Sequence, residues 1–160
     1  THVAWQGLDM GAWSDVPSWT RSGIAVPYVR YDNQGEFWPL VEMYARSLRH
    51  VDAVNAARIP VAQITAPILL LSGQKDQMWP AYAMAVDIAK TVQAAHPDAV
   101  VEHLSYADAG HAILGKPFDP DSPNAQRLLA LGGSLEGNLA ARRDGWPKVI
   151  AFLHTHLDRR

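Results

Sequence analysis

The spacing of hydrophobic positions changes repeatedly along this chain, and each change marks an element. From Pro39 to about Ala57, Leu40, Val41, Tyr44, Leu48, Val51 and Val54 recur at three- and four-residue intervals, predicting one amphipathic helix. Pro39 suits its first turn and Pro60 closes the segment. The pattern then becomes continuous: Ile68 to Leu71, between Pro67 and Gly73, reads as a strand buried on both faces, the kind found in parallel sheets. A second helix is predicted from Pro80 to Ala95, with Val86, Ile88, Ala89 and Val92 as its apolar positions. "DAVVEHLSY" follows as another strand. Strand, helix, strand make a βαβ unit, right-handed if the strands are parallel neighbours.

Beyond that unit, "ADAGHAILGKPFDPDSPNA" reads as a long Gly/Pro/Asp loop, and Ser134 to Leu157 as a helical region interrupted near Gly145-Trp146-Pro147. Before Pro39 the periodicity dissolves. Trp5, Trp13 and Trp19 have no helical spacing and suggest an irregular segment pinned by aromatic anchors. Ile24 to Tyr31 could form a short strand, demoted by Pro27 to an edge or turn-flanking piece. The chain carries no internal repeat and no low-complexity tract.

These elements place the chain in the α/β class. At 160 residues it is about one domain's worth of sequence, and 48% hydrophobic with 19% charged residues is enough to build a core. A net charge of −2 gives no electrostatic case for nucleic acid. The basic pairs Arg142-Arg143 and Arg159-Arg160 are expected to be solvated helix faces. There is no cysteine, hence no disulfide or thiolate metal site within the chain, which suits a reducing compartment such as the cytoplasm. No apolar stretch reaches membrane-span length, and no signal peptide is visible. The first residue, Thr1, is not methionine, so the chain is expected to have been trimmed or cut from something longer.

In open parallel sheets, reactive groups gather beyond the carboxyl ends of the strands. One such end delivers Asp76, through "SGQKD", and the other delivers His111, through "YADAGH". Their 35-residue separation is about one βα unit plus a turn, so neighbouring strands bring both to one sheet edge. They would be the last two members of a nucleophile–acid–histidine triad, in the α/β-hydrolase chain order. The carboxylate would fix the imidazole tautomer, and the imidazole would take the nucleophile's proton. Gly110 would let the backbone turn sharply as it leaves the strand. On spacing alone, Asp76 reads first as an N-cap or loop carboxylate and His111 as a structural loop histidine. Taken together at two strand ends, the catalytic reading draws level. Asp108 is a rival acid, better read as a turn former.

Several stretches carry a family resemblance, in order and over essentially the whole chain: "GIAVPYVRYD", "APILLLSGQKDQMWP", "HLSYADAGHAI", "LGGSLEGNLAARRDGWPKVIAFL" and, more loosely, "THVAWQGL". The sequence resembles the C-terminal region of the acyl-CoA thioesterase and bile acid-CoA:amino acid N-acyltransferase family, relatives of the dienelactone hydrolases within the α/β-hydrolase fold. The resemblance implies that Asp76 is the triad acid and His111 the general base. It implies an acyl-CoA or other acyl ester substrate and no cofactor. It also implies that residues 1–60 form a Trp-rich, lid-like region plus helix, and 61–160 the last strands and helices of the fold.

The nucleophile is the departure. No Gly-x-Ser-x-Gly elbow occurs in the chain. "GGSLEG" at 132–137 has the wrong spacing, and Ser134 reads as the N-cap of the last helix. Ser72 is expected to bond locally, "HTH" at 154–156 to be a solvated helix end, and "DPD" at 119–121 a turn. An N-terminal threonine nucleophile at Thr1 would leave Asp76 and His111 without a purpose. The expectation is a serine or cysteine on chain upstream of Thr1, so that the 160 residues alone are inactive, with a sheet incomplete without upstream strands. The missing N-terminal part, or a second copy of the chain, would then be a partner at an exposed sheet edge. Alternatives are an acyl-CoA-dependent N-acyltransferase, or a catalytically silent association module.

Overall fold

The computed structural model describes residues 20–21, 24–25, 27–32 and 39–157. Thr1, Trp5, Trp13, Trp19 and Arg159-Arg160 lie outside the described residues. The chain divides into two compact units, Thr1–Ile59 and Pro60–Arg160.

In the first unit, β1 (Thr20–Arg21) pairs antiparallel with β2 (Ile24–Ala25). The strand expected over Ile24–Tyr31 therefore ends at Ala25, and Pro27–Asp32 joins no ladder. Pro27 has no N–H with which to extend one. The single helix expected over Pro39–Ala57 is two, α1 (Leu40–Ser47) and α2 (Val51–Ala57). The break follows from Ser47, whose buried hydroxyl donates to the Met43 carbonyl and accepts from the Asp32 backbone N–H, each at 2.7 Å. A hydroxyl bonded back to its own helix favours termination or bending. Leu48 and Arg49 then close a tighter turn, with the Arg49 N–H on the Arg46 carbonyl. Tyr31 and Tyr44 share a hydroxyl–hydroxyl bond of 3.1 Å, and burial first, then that bond, raises the Tyr44 pKa.

The second unit is the βαβ element. Its strand β3 (Ile68–Gly73) pairs in parallel with β4 (Val101–Tyr106), from Ile68 opposite Val101 to Gly73 opposite Tyr106. Between them runs α3 (Ala81–Ala95), which buries Ala85 and Val92, seven residues apart on one helix face. Its C-cap, His96, precedes Pro97, a residue that disfavours continued helix before it. The ring nitrogen Nε2 of His96 meets the Ala62 carbonyl in the short 3₁₀ turn Val61–Gln63.

The expected burial of β3 on both faces is not met. Ile68 to Leu71 are half-buried, and only Ser72 and Gly73 are buried. Among the described residues the sheet has two strands, too few to enclose the start of either.

Two helices follow β4. Helix α4 (Pro123–Leu129) lies where a loop was expected to run into Ala125. Its start is legible in hindsight, since Ser122 stands at the N-cap and Pro123 in the first turn. Helix α5 (Leu135–Leu157) runs without interruption through Gly145-Trp146-Pro147. Packing overrides the local breakers: Gly145 is buried, and a Cβ there would stand 2.8 Å from the Tyr106 hydroxyl, which would have to shift to admit it. That hydroxyl donates to Asp144 at 3.0 Å, and Lys148 donates to the same carboxylate oxygen at 2.8 Å. Lys148 first, and Tyr106 second, lower the Asp144 pKa.

Strand alternation assigns the two sheet faces. Leu71 and Tyr106 pack on the core of Ala109, Ile113 and Ala141, toward α5. Ser72 and His103 point the other way, where Tyr82 of α3 stacks on His103 with ring centroids 5.8 Å apart. A parallel strand pair with a helix on each face is an α/β arrangement. Among the described residues, no helix is long and apolar enough to cross a membrane.

Candidate active site

The two candidate residues leave adjacent parallel strand ends, and the pairing continues past those ends. The Gln74 N–H donates to the Tyr106 carbonyl at 3.0 Å and the Lys75 N–H to the Ala109 carbonyl at 2.9 Å. This carries the two loops forward together. Asp76 Oδ2 and His111 Nδ1 then meet at 3.0 Å.

The two oxygens of Asp76 make different contacts. Oδ1 accepts the backbone N–H groups of Met78 at 2.7 Å and Trp79 at 3.2 Å, the bonding of a carboxylate that organises the entry to α3. Oδ2 is left for the imidazole. The Asp76 side chain is only 4% exposed and that of His111 28%, so the carboxylate is sunk behind a ring that reaches solvent.

A third segment, Leu131–Gly133, binds both loops. The Leu131 carbonyl accepts the Gln77 and His111 N–H groups, each at 3.2 Å. Gly132 bridges to Asp76 and Gly133 to Ala109 in antiparallel fashion. Both glycines have positive φ, 98° and 75°, where side-chain-bearing residues are strained. Gly110 is needed for a different reason from the sharp turn expected of it. Its φ is not in the left-handed region; instead the Gly132 carbonyl packs against its Cα, and any Cβ would collide with it.

Two further side chains complete the surroundings. Asn138 on α5 is fully buried, its Oδ1 accepting the Gly110 N–H at 2.8 Å and its Nδ2 donating to the Gly132 carbonyl at 3.1 Å. The Trp79 ring meets the His111 ring edge-to-face, with centroids 4.5 Å apart. Neither role was assigned from sequence. Asn138 left a signal, being polar on the same face of α5 as buried Ala141 and Gly145, at i, i+3 and i+7.

A carboxylate can only accept, so the proton shared with Asp76 sits on Nδ1. In the neutral ring Nε2 then carries the lone pair, and the Asp76 contact fixes the tautomer and direction of the imidazole from behind. Among the described residues, no hydroxyl bonds this ring. Also among them, no group of three or more histidines and carboxylates could hold a metal ion.

The other candidates lie elsewhere. Asp108 is exposed and pairs with Lys75 Nζ at 2.6 Å. Ser134 caps α5, its Oγ accepting the Gly137 N–H at 2.9 Å. Asp119 shapes a turn through the Asp121 N–H, and His156 packs on Phe152. Ser72 does not bond locally as expected: its buried hydroxyl crosses to the neighbouring strand and meets His103 Nε2 at 2.7 Å. Arg142 is no mere surface charge either. It donates to the Ala112 and Lys116 carbonyls and stacks over Phe118, with its carbon 5.0 Å from the ring centroid.

Comparison with protein families returns a match over residues 33–159 to the family described as BAAT / acyl-CoA thioester hydrolase C terminal. The chain belongs to this family. The match takes in Asp76, His111, the Leu131–Gly133 segment and all of α5, so the whole site lies within the BAAT / acyl-CoA thioester hydrolase C-terminal region. Membership makes it a domain of the acyl-CoA thioesterase and acyltransferase type. No curated protein matches the chain.

Proposed function

We propose that this chain supplies the acid and the base of a Ser/Cys–Asp–His triad in an acyl-CoA thioester hydrolase of the α/β-hydrolase fold. The observation that carries the reading is the 3.0 Å contact between a buried Asp76 and a partly exposed His111 at adjacent strand ends. The family's description as a C-terminal region supports a nucleophile on preceding chain, together with the strands that would complete the sheet. Residues 1–60 would serve as a lid-like region and 61–160 as the last portion of the hydrolase fold.

In this reading His111 Nε2 takes the proton from the nucleophile's hydroxyl or thiol as that atom attacks the thioester carbonyl. The tetrahedral oxyanion is held by backbone N–H groups near the nucleophile. The carbon–sulfur bond then breaks, and the imidazolium returns its proton to the departing coenzyme A sulfur. A water molecule, deprotonated by the same nitrogen, attacks the acyl-enzyme carbonyl; the bond from the acyl carbon to the nucleophile breaks, the imidazolium returns its proton to that oxygen or sulfur, and the acid leaves. Asp76 keeps the proton on Nδ1 throughout and stabilises the imidazolium. Water is the default acceptor; an amine in its place makes the reaction an N-acyl transfer.

The test is acyl-CoA hydrolysis by the full-length protein with and without His111→Ala, alongside intact-mass detection of an acyl adduct. A loss of at least about 100-fold in kcat, with the wild-type adduct upstream of Thr1, is the expected result. Unchanged turnover, or an adduct on Ser134, would overturn it.

A further inference from the structure

We propose that helix α5 clamps the histidine loop from both sides, with Asn138 and Arg142 as positioning residues for His111. The inference rests on the proposed role of the Asp76–His111 pair and names what holds that pair in register. Asn138 and Arg142 are four residues apart, so they project from one face of the helix. Asn138 accepts from the N–H of Gly110, the residue before His111, while Arg142 Nε donates to the carbonyl of Ala112, the residue after it, at 2.7 Å. His111 is bracketed by two side chains of a 23-residue helix, itself packed on β3 and β4.

The chemistry at each position is specific. Asn138 must accept at one end, from a backbone N–H, and donate at the other, to the Gly132 carbonyl. Those partners fix the orientation of its carboxamide, since an N–H can only donate and a carbonyl only accept. A carboxylate of the same shape could accept but not donate; an apolar side chain would leave both backbone groups buried and unpaired. The Gly132 bond matters because that segment also receives the His111 N–H, at Leu131, and bridges to Asp76. Asn138 thus joins the two backbones that set the distance between acid and base. Arg142 reaches two carbonyls, through Nε to Ala112 and Nη1 to Lys116 at 2.8 Å, which a lysine's single nitrogen cannot reproduce.

The experiment uses full-length protein labelled with ¹⁵N-histidine, with the His111 ring signals assigned by their loss in His111→Gln. Ring nitrogen shifts report which nitrogen carries the proton, a quantity that a loss of global stability alone leaves unmoved. In the wild type, neutral His111 is expected as the Nδ1–H tautomer. Asn138→Ala, Asn138→Asp and Arg142→Ala should each let the Nε2–H form appear. In the Asn138 variants kcat should fall by roughly 100-fold with KM little changed, the scale of a small misplacement at a reacting centre. Arg142→Lys should fall between wild type and Arg142→Ala. If Asn138→Ala fails to fold, Asn138→Asp and Arg142→Ala decide the matter. An Nδ1–H tautomer and kcat both unchanged in those folded variants would overturn the clamp. Should His111→Gln itself retain full turnover, the catalytic reading fails, while the tautomer measurement still decides the clamp.

Discussion

Two histidines eight residues apart, His103 and His111, meet oxygen partners of opposite kinds. His103 lies within β4, where Ser72 Oγ binds its Nε2 at 2.7 Å and Tyr82 stacks on its face. His111 lies beyond the strand, where Asp76 binds its Nδ1 at 3.0 Å and Trp79 meets its ring edge-to-face. The Ser72 pair has the residues of a nucleophile and base, but its hydroxyl is fully buried. In the Asp76 pair the imidazole is partly exposed, and among the described residues no hydroxyl bonds its far nitrogen. The two pairs therefore differ in surroundings more than in residue type. What separates the two sites is which ring nitrogen the protein engages, Nε2 in His103 and Nδ1 in His111, and whether a hydroxyl or a carboxylate engages it.

The sharpest way to break this contrast is to exchange the losses. Asp76→Asn in the full-length protein should lower kcat for thioester hydrolysis by about 10⁴-fold, the effect of losing an orienting carboxylate. Steady-state assays beside a melting curve would check it, and a small kcat loss would make the two pairs equivalent. Ser72→Ala should do the reverse, leaving kcat close to wild type while costing about 1–2 kcal/mol of stability in a urea titration.

The pH dependence of stability sharpens the comparison further. Burial holds the His103 imidazole below its ordinary 6.5. The unfolded chain therefore takes up this proton more readily than the folded one. Stability from this site is complete above about pH 6.5, declines as pH falls toward the lowered folded value, and levels off beneath it. Urea midpoints between pH 8 and 5 should show this decline, and His103→Gln should remove part of it. The smallest effect belongs to the rival acid. Lys75 and Asp108 are 57% and 69% exposed, so Asp108→Asn should cost under about 1 kcal/mol and leave hydrolysis essentially intact. A large kcat loss there would move the acid from Asp76 to Asp108.

The legibility of the fold tracked the range of the forces involved. The β3–α3–β4 unit was visible because its cues are local: an apolar run, a punctuating Gly73, a helical period and a Pro97 beyond the helix end. Errors arose where a contact distant in sequence overrode a local cue. The Ser47 hydroxyl, shared with Asp32, split a helix that periodicity had joined. Tyr106, packed on Gly145, accompanied a helix that Gly-Trp-Pro had been expected to break. Asp76 and His111 were found because two strand ends and a βα unit's spacing predict convergence. Asn138 and Arg142 were missed because they act on backbone groups 28 and 30 residues earlier; the polar position of Asn138 on the buried face of α5 marks it as unusual but names no partner.

By itself, the sequence determined the order of strand and helix in the β3–α3–β4 unit, the strand ends at which Asp76 and His111 appear, and the family to which those motifs point. Short-range preferences and spacing are written in neighbouring residues, so they survive without a fold. Only the tertiary structure decided that one Asp76 oxygen serves the backbone while the other serves His111, and that a glycine pair and a buried carboxamide hold the two loops together. Those are choices between bonds of similar strength, and they are settled by which atoms packing brings within reach.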